Sequence, residues 1–307
     1  VNHRLPDFVR PLSSETKTAT KMKKFLILLT LLGASAGAAL AQQTIVTYTP
    51  DGVKTYDTAE PPSEVLDTTR FVVSYRMLYQ QRPESEHPME DLLLLQIGRN
   101  VTKFYSYKTW QTDSLVRVTP PEQVLANLGS FHGGVQDVLF RDQAGGRLTH
   151  IDQIDMDHLL YTEPLPVIDW ELEEGERTIL GYACRRARCT FRGRNYEAWY
   201  APEIAVSAGP WKFGGLPGLI LAIKDDAGVL DMEATGVEQR VEPIRMTNRN
   251  YMKTSRKKYR ELKQKIMTDP IGYLTNNSNV SITVTSQDGT PLGPGDLVRG
   301  YNPIELD

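Results

Sequence analysis

Along most of this chain apolar and polar residues alternate in short runs broken by Pro, Gly, Asn and Asp, the pattern of half-buried strands. The alternation predicts strands over 44–49, 70–80, 92–97, 101–109, 114–118, 136–141, 147–154, 177–184, 187–193, 195–201, 219–225, 229–235 and 280–285. Turn signals separate them, among them Asp51-Gly52, Glu60-Pro61-Pro62, Arg192-Gly193 and Asp288-Gly289. Helical periodicity is rare. Pro121 to Leu128 predicts a short helix with Pro121 in its first turn. A longer one is predicted over 248–268, where Met252, Tyr259, Leu262 and Ile266 fall on one stripe and Asp269-Pro270 ends it. Segments 50–69, 81–90 and 286–300 read as loops. The fold class that follows is mainly β (α+β): a large curved antiparallel sheet or two packed sheets, with one long C-terminal helix.

One apolar run has a different meaning. Phe25 to Leu32 follows the basic Met22-Lys23-Lys24 and precedes Ala39-Leu40-Ala41, the layout of a cleaved secretory signal peptide. Residues 1–21 are polar and open on Val1, so they read as an upstream start misassigned in the gene and not translated. The expected organisation is therefore a signal peptide from Met22 to Ala41, then a single β-rich domain over 42–307 beginning at Gln42. No Cys follows the cleavage site, which excludes a lipoprotein, and no later run approaches the ~20 apolar residues of a membrane span. The expectation is a periplasmic or secreted protein with no transmembrane segment after cleavage.

Charge narrows the partners. The chain holds 35 Lys and Arg against 38 Asp and Glu, and residues 42–307 are more acidic still, at about −7. That balance excludes a general nucleic-acid binder. The basic residues that remain concentrate in the predicted long helix, as Arg249, Lys253, Arg256, Lys257, Lys258, Arg260, Lys263 and Lys265 against Glu261. Such a helix either docks on an anionic surface or forms a solvated outer face, and the solvated face is the expectation.

Few residues carry recognisable chemistry. His150, Asp152, Asp155, Asp157 and His158 invite a metal reading, but an extended strand would set the two histidines ~26 Å apart. No G-x-S-x-G elbow is present, and adjacent acids such as Glu173-Glu174 point to opposite faces of a strand. Neither a metal nor a cofactor is expected. Cys184 and Cys189 on one strand would lie roughly 16 Å apart, against under ~7 Å for a disulfide, so two buried thiols are expected.

The segment from Trp211 to Ile220, WKFGGLPGLI, is the most distinctive. Pro217 and Gly218 suit the centre of a type II turn, and Gly214 and Gly215 allow a close approach by a bulky neighbour such as Trp211 or Phe213. The segment resembles the signature of the GLPGLI family of secreted Gram-negative proteins. The resemblance extends to Cys189–Ile204, Arg70–Gln80, Lys103–Tyr107 and Tyr301–Asp307. It implies a β-rich exported domain and transfers no catalytic residue. A weaker similarity to the bowl-shaped N-terminal domain of certain secreted peptide:N-glycanases implies glycan recognition without hydrolysis. Arg192, Trp199 and Trp211 are the candidate ligand-binding residues, expected on one side of a concave sheet. The expected role is non-enzymatic binding of a peptide, glycan or cell-envelope partner. An envelope hydrolase, or an accessory to one, and a purely structural component are the alternatives.

Overall fold

The computed structural model describes residues 61–119, 123–124, 133–154, 157–277, 284–286 and 289–307, all within the compact unit Gln43–Asp307. The expected signal peptide, the expected strand at 44–49, and most of the expected helix at 121–128 and strand at 280–285 fall outside the described residues. The fold is mainly β, built on one 12-stranded sheet. A first antiparallel meander comprises β2 (Phe71–Tyr79), β3 (Met89–Ile97), β4 (Val101–Ser106), β5 (Val138–Asp142), β6 (Arg147–Ile154) and β7 (Asp157–Pro164). A second comprises β8 (Glu171–Ile179), β9 (Tyr182–Phe191), β10 (Arg194–Ala201), β11 (Leu219–Asp225) and β12 (Leu230–Glu238). The two join where β12 pairs with β2, and the two-residue β14 (Met252–Lys253) adds to β7 in parallel. A separate pair, β1 (Ser63–Thr68) with β13 (Pro243–Thr247), covers part of the outer face.

Alternation gives the sheet an inner face that is nearly all apolar. Cross-strand register puts Tyr75 beside Leu93 and Ala234, Leu95 beside Phe104, and Phe104 beside Leu139. Tyr196, Ala198 and Tyr200 continue that face on β10 and are fully buried. The layer packed on it is irregular chain: Ile204, Ala208, Trp211, Phe213 and Leu216 belong to the same core as the strands. Phe213 lies at its centre, with rings of Phe191, Tyr196 and Trp211 at 4.8–5.7 Å. Such edge-to-face contacts add to the burial of large apolar area. The distinctive segment is thus the plug of the sheet's inner face.

Its glycines act differently from the sequence expectation. The amide of Gly218 donates to Leu216 O, a three-residue turn centred on Pro217, so there is no type II turn here. Gly218 is required because a Cβ there would sit 2.4 Å from Ala201 O. Gly218 has the expected positive φ, at 157°, and so does Gly215, at 95°, where the neighbour is Trp170. The bulky group admitted by Gly214 is the Arg141 guanidinium, 2.8 Å from where a Cβ would stand.

Other departures have local causes. Residues 107–118 form a helix, α1 (Tyr107–Val118), where strands were expected, because the Ser106 hydroxyl caps it by accepting from Thr109 N. No α1 residue is buried, so no apolar stripe announces the helix. β1 forms in a predicted loop because its partner lies about 180 residues away in β13. The long helix, α2 (Arg256–Thr268), starts late, since Ser255 caps it and Met252–Lys253 are taken up by β14. A short helix, α3 (Pro270–Asn277), follows. Cys184 and Cys189 are free and buried, and burial raises both thiols, Cys189 to about 12. Among the described residues no helix is long and apolar enough to cross a membrane.

Candidate functional site

The inner face carries charge at one end, and most of it is paired; the buried Arg141 guanidinium instead donates to Lys212 O and Phe213 O. Register sets His150 opposite Tyr161, and Leu148 opposite Glu163, so His150, Tyr161 and Glu163 project inward together. Lys212, fully buried, drops between them and donates to Glu163 Oε1 at 2.6 Å and the Tyr161 hydroxyl at 3.0 Å, and pairs with Glu305 at 2.5 Å. Arg192 holds the other oxygen of Glu163 at 2.7 Å, and Arg256 on α2 holds Glu305 at 2.5 Å. Burial pushes the Glu305 carboxyl up, but Lys212 and Arg256 outweigh it and hold it below the usual range.

A second set adjoins the first. His150 bonds Tyr161 through Nδ1 at 2.6 Å and Asp137 through Nε2 at 2.7 Å. The Tyr259 hydroxyl donates to Asp152 at 2.9 Å, and Lys263 pairs with Asp152 at 2.5 Å. Burial would raise Asp137, yet Lys263 and the His150 bond hold it well below the carboxylate range. Arg256, Arg260 and Lys263 of the basic helix therefore turn inward as structural partners, Arg260 donating to Glu305 O. Lys257, Lys258 and Lys265 stay exposed. The expected solvated face accounts for only part of this helix.

The residue trio expected to form one surface is divided. Arg192 and Trp211 lie on the inner side; Trp211 is 5% exposed and packs on Phe191 and Phe213. Trp199 alternates with Tyr200 and so faces outward, where its indole N–H donates to Glu197 at 3.1 Å. There it sits among cross-strand ion pairs of Arg186 with Glu173 and Arg188 with Asp226. The inner face that a ligand would have used is filled by the chain's own residues 204–216.

An opening remains on the outer face of β4–β7. It lies between α1 on one side and β13 with residues 249–251 on the other, and its volume is about 150 Å³. Its floor is Tyr105, Phe140 and Ile151; Lys103, Arg245 and Arg249 enter from one side, and Trp110 and Asp113 from α1. Trp110 is 50% exposed and stacks on Tyr107 at 5.6 Å, which orients the indole. Lys103 lies over the Tyr105 and Phe140 rings at 4.8 and 5.6 Å and donates to Arg245 O. Burial pushes its ammonium down to about 8, against the pull of Glu242. Arg249 bonds His158 Nε2 at 2.5 Å, and among the described residues the Arg245 guanidinium bonds the Ser63 hydroxyl at 3.4 Å. Among the described residues none of these three cations has a carboxylate at ion-pairing distance, whereas Arg192, Arg194, Lys212, Arg256 and Lys263 all do.

The histidines of the 150–158 stretch serve the two sites separately, His150 inside and His158 at the outer cleft. β6 and β7 pair as antiparallel neighbours, which brings the histidines closer than the extended-strand estimate without uniting them. Among the described residues no group of three or more His, Cys, Asp or Glu is arranged to hold a metal ion. Sequence reasoning missed Trp110 and Arg245, and placed Arg249 on the basic helix. A reading of Tyr107 and Trp110 as an i, i+3 helical pair would have found the first.

Comparison with known proteins adds a family and a distant likeness. The profile of a family described as a protein of unknown function (Porph_ging) matches residues 192–222, which span the β9–β10 hairpin tip, β10 and the plug. No curated protein matches the chain. Two solved structures of PNGF-II, in C2 and P21 space groups, are similar at 13% identity with TM-scores of 0.44 and 0.45. Each covers 73% of this chain, and the chain spans about two-fifths of their length, 39% and 40%. Neither likeness bears on function.

Proposed function

We propose that this is an exported GLPGLI-type protein that binds a cell-envelope or extracellular partner without catalysis, and that the outer cleft is its binding site. The observation that carries the reading is an open, aromatic-lined cleft that Lys103, Arg245 and Arg249 enter with no carboxylate at ion-pairing distance among the described residues. Unpaired charge beside an exposed indole is poor for stability and good for recognition. The test is capture from envelope extracts by the tagged protein beginning at Gln42. Wild type should retain a component that a Trp110→Ala, Arg249→Ala variant of equal thermal stability releases. Equal retention by both would remove the cleft from the reading.

A second reading, hydrolysis, draws on Asp113 and Asp137, which both line the cleft and are shifted in opposite directions. Burial raises Asp113 against the pull of Arg249 and Arg117. Asp137 is committed to His150 and Tyr259, so it is poorly free to act as a base. Turnover of a captured component would move this reading ahead.

Export is part of the proposal and rests on Met22 to Ala41. N-terminal sequencing of the native protein, after removal of any pyroglutamate, should begin at Gln42. Peptides from residues 1–21 recovered from cells would contradict both the start and the cleavage.

A further inference from the structure

We propose that the outer cleft selects a carboxylated sugar ring, an acidic saccharide unit held by Trp110 and the Lys103, Arg245 and Arg249 side chains. This rests on the reading of the cleft as a binding site and names its ligand class. Four features of the cleft select the class together, and the first three each exclude another ligand.

Size comes first. A cavity of about 150 Å³ is of the order that holds one six-membered ring, so the cleft takes a single residue of a chain at a time. The strands beneath it, β4, β5 and β6, are each paired on both edges. The cleft floor therefore offers no free backbone for an extended peptide to pair with, the usual source of peptide affinity on a sheet.

Charge comes second. Lys103, Arg245 and Arg249 converge with no carboxylate partner among the described residues, in a chain that is acidic overall. A neutral sugar would cover these cations with only the longer-range pull of Glu242 on Lys103 and of Asp113 on Arg249 to offset them, whereas a carboxylate adds direct charge-assisted hydrogen bonds. Among the described residues the guanidinium fork of Arg245 makes one side-chain contact, to the Ser63 hydroxyl, and its planar geometry suits a bidentate contact with a carboxylate.

The lining is also mixed in sign. Asp113 and Asp137 stand in the same cleft, with the Thr109 hydroxyl and the Gln136 amide. Carboxylates repel a compact, multiply charged anion such as phosphate. They accept hydrogen bonds from ring hydroxyls, which a sugar supplies beside its own carboxylate. Finally, the half-exposed Trp110 indole, fixed by stacking on Tyr107, offers an apolar face to the ring's C–H edge. A ligand with one apolar face, several hydroxyls and one carboxylate satisfies all of these groups at once.

The experiment is isothermal titration of the protein with trigalacturonate, neutral galactotriose, a pentaglutamate peptide and inorganic phosphate, with tryptophan fluorescence recorded in parallel. Trigalacturonate should bind at least ~10-fold more tightly than the other three and quench fluorescence, a quench lost in Trp110→Phe. Arg245→Ala and Arg249→Ala, made on exposed or half-exposed side chains, should each weaken trigalacturonate ~10-fold while leaving the thermal midpoint in place. Galactotriose binding as well as trigalacturonate would overturn the acidic class and leave the binding cleft standing. Pentaglutamate or phosphate binding equally well would overturn the saccharide class. No binding by any of the four, or trigalacturonate binding unchanged in both arginine variants, would overturn the proposal, and the first of these outcomes counts against the cleft reading as well.

Discussion

Replacing Lys212 by methionine is expected to lower stability by about 3–5 kcal/mol, measured by urea denaturation at neutral pH. The side chain is fully buried, with Glu163 at 2.6 Å and Glu305 at 2.5 Å, and its loss strands two carboxylates with reduced compensation. Arg192 and Arg256 remain as partners, which keeps the expected loss from being larger. The same cluster sets an acid dependence. Glu305 has its carboxyl held below the usual 4.5 in the folded state. Its contribution is therefore full above the unfolded value and is lost as pH falls through the lower folded value. Stability should decline once pH drops below about 4.5, and the decline should be shallower in Lys212→Met, where Glu305 is less depressed. A loss under ~1 kcal/mol in the variant, with an unchanged acid profile, would mean that the cluster contributes little.

Gly218→Ala is expected to cost on the order of 3 kcal/mol, an unusually large effect for one added methyl group. Its Cβ would meet Ala201 O at 2.4 Å and Pro202 Cα at 2.9 Å, backbone atoms that no rotamer change can move aside. Gly228→Ala is the control. That glycine has φ of 69° and open space around it, so only the conformational penalty of about 1 kcal/mol applies. Pro217→Ala should cost less than 1 kcal/mol, mainly by loosening the unfolded chain. Thermal melts that rank Gly218→Ala with Gly228→Ala would show that the approach of residues 201–202 can relax.

The strand pattern of this protein is legible because period-2 alternation is a local property. Segments 70–80, 147–154, 195–201 and 219–225 coincide closely with β2, β6, β10 and β11. The mainly β class and the long helix near 256–268 follow from the same signals. What was illegible depends on partners distant in sequence. β1 exists only because β13 is there to pair with it, and α1 owes its start to a single serine cap on a stretch that alternates like a strand. The binding trio failed as a surface for a related reason. Alternation correctly put Trp199 and Tyr200 on opposite faces, but nothing local revealed that residues 204–216 fold back over the inner one. The outer cleft draws on β4, β5, β6, α1 and β13 together, so no single run of the chain could announce it.

The seam between the two meanders has a consequence for synthesis. β2 carries Phe71, Val72, Val73 and Tyr75 along one edge that stays unpaired until β12 emerges, with Thr235 meeting Ser74 across 161 residues. At ordinary translation rates of ~5–20 residues per second, that edge waits on the order of ten to thirty seconds. A long apolar edge left open is a template for pairing with a neighbouring nascent chain. This protein should therefore depend on chaperone cover during production more heavily than its finished sheet, in which β2 is paired on both edges, would suggest.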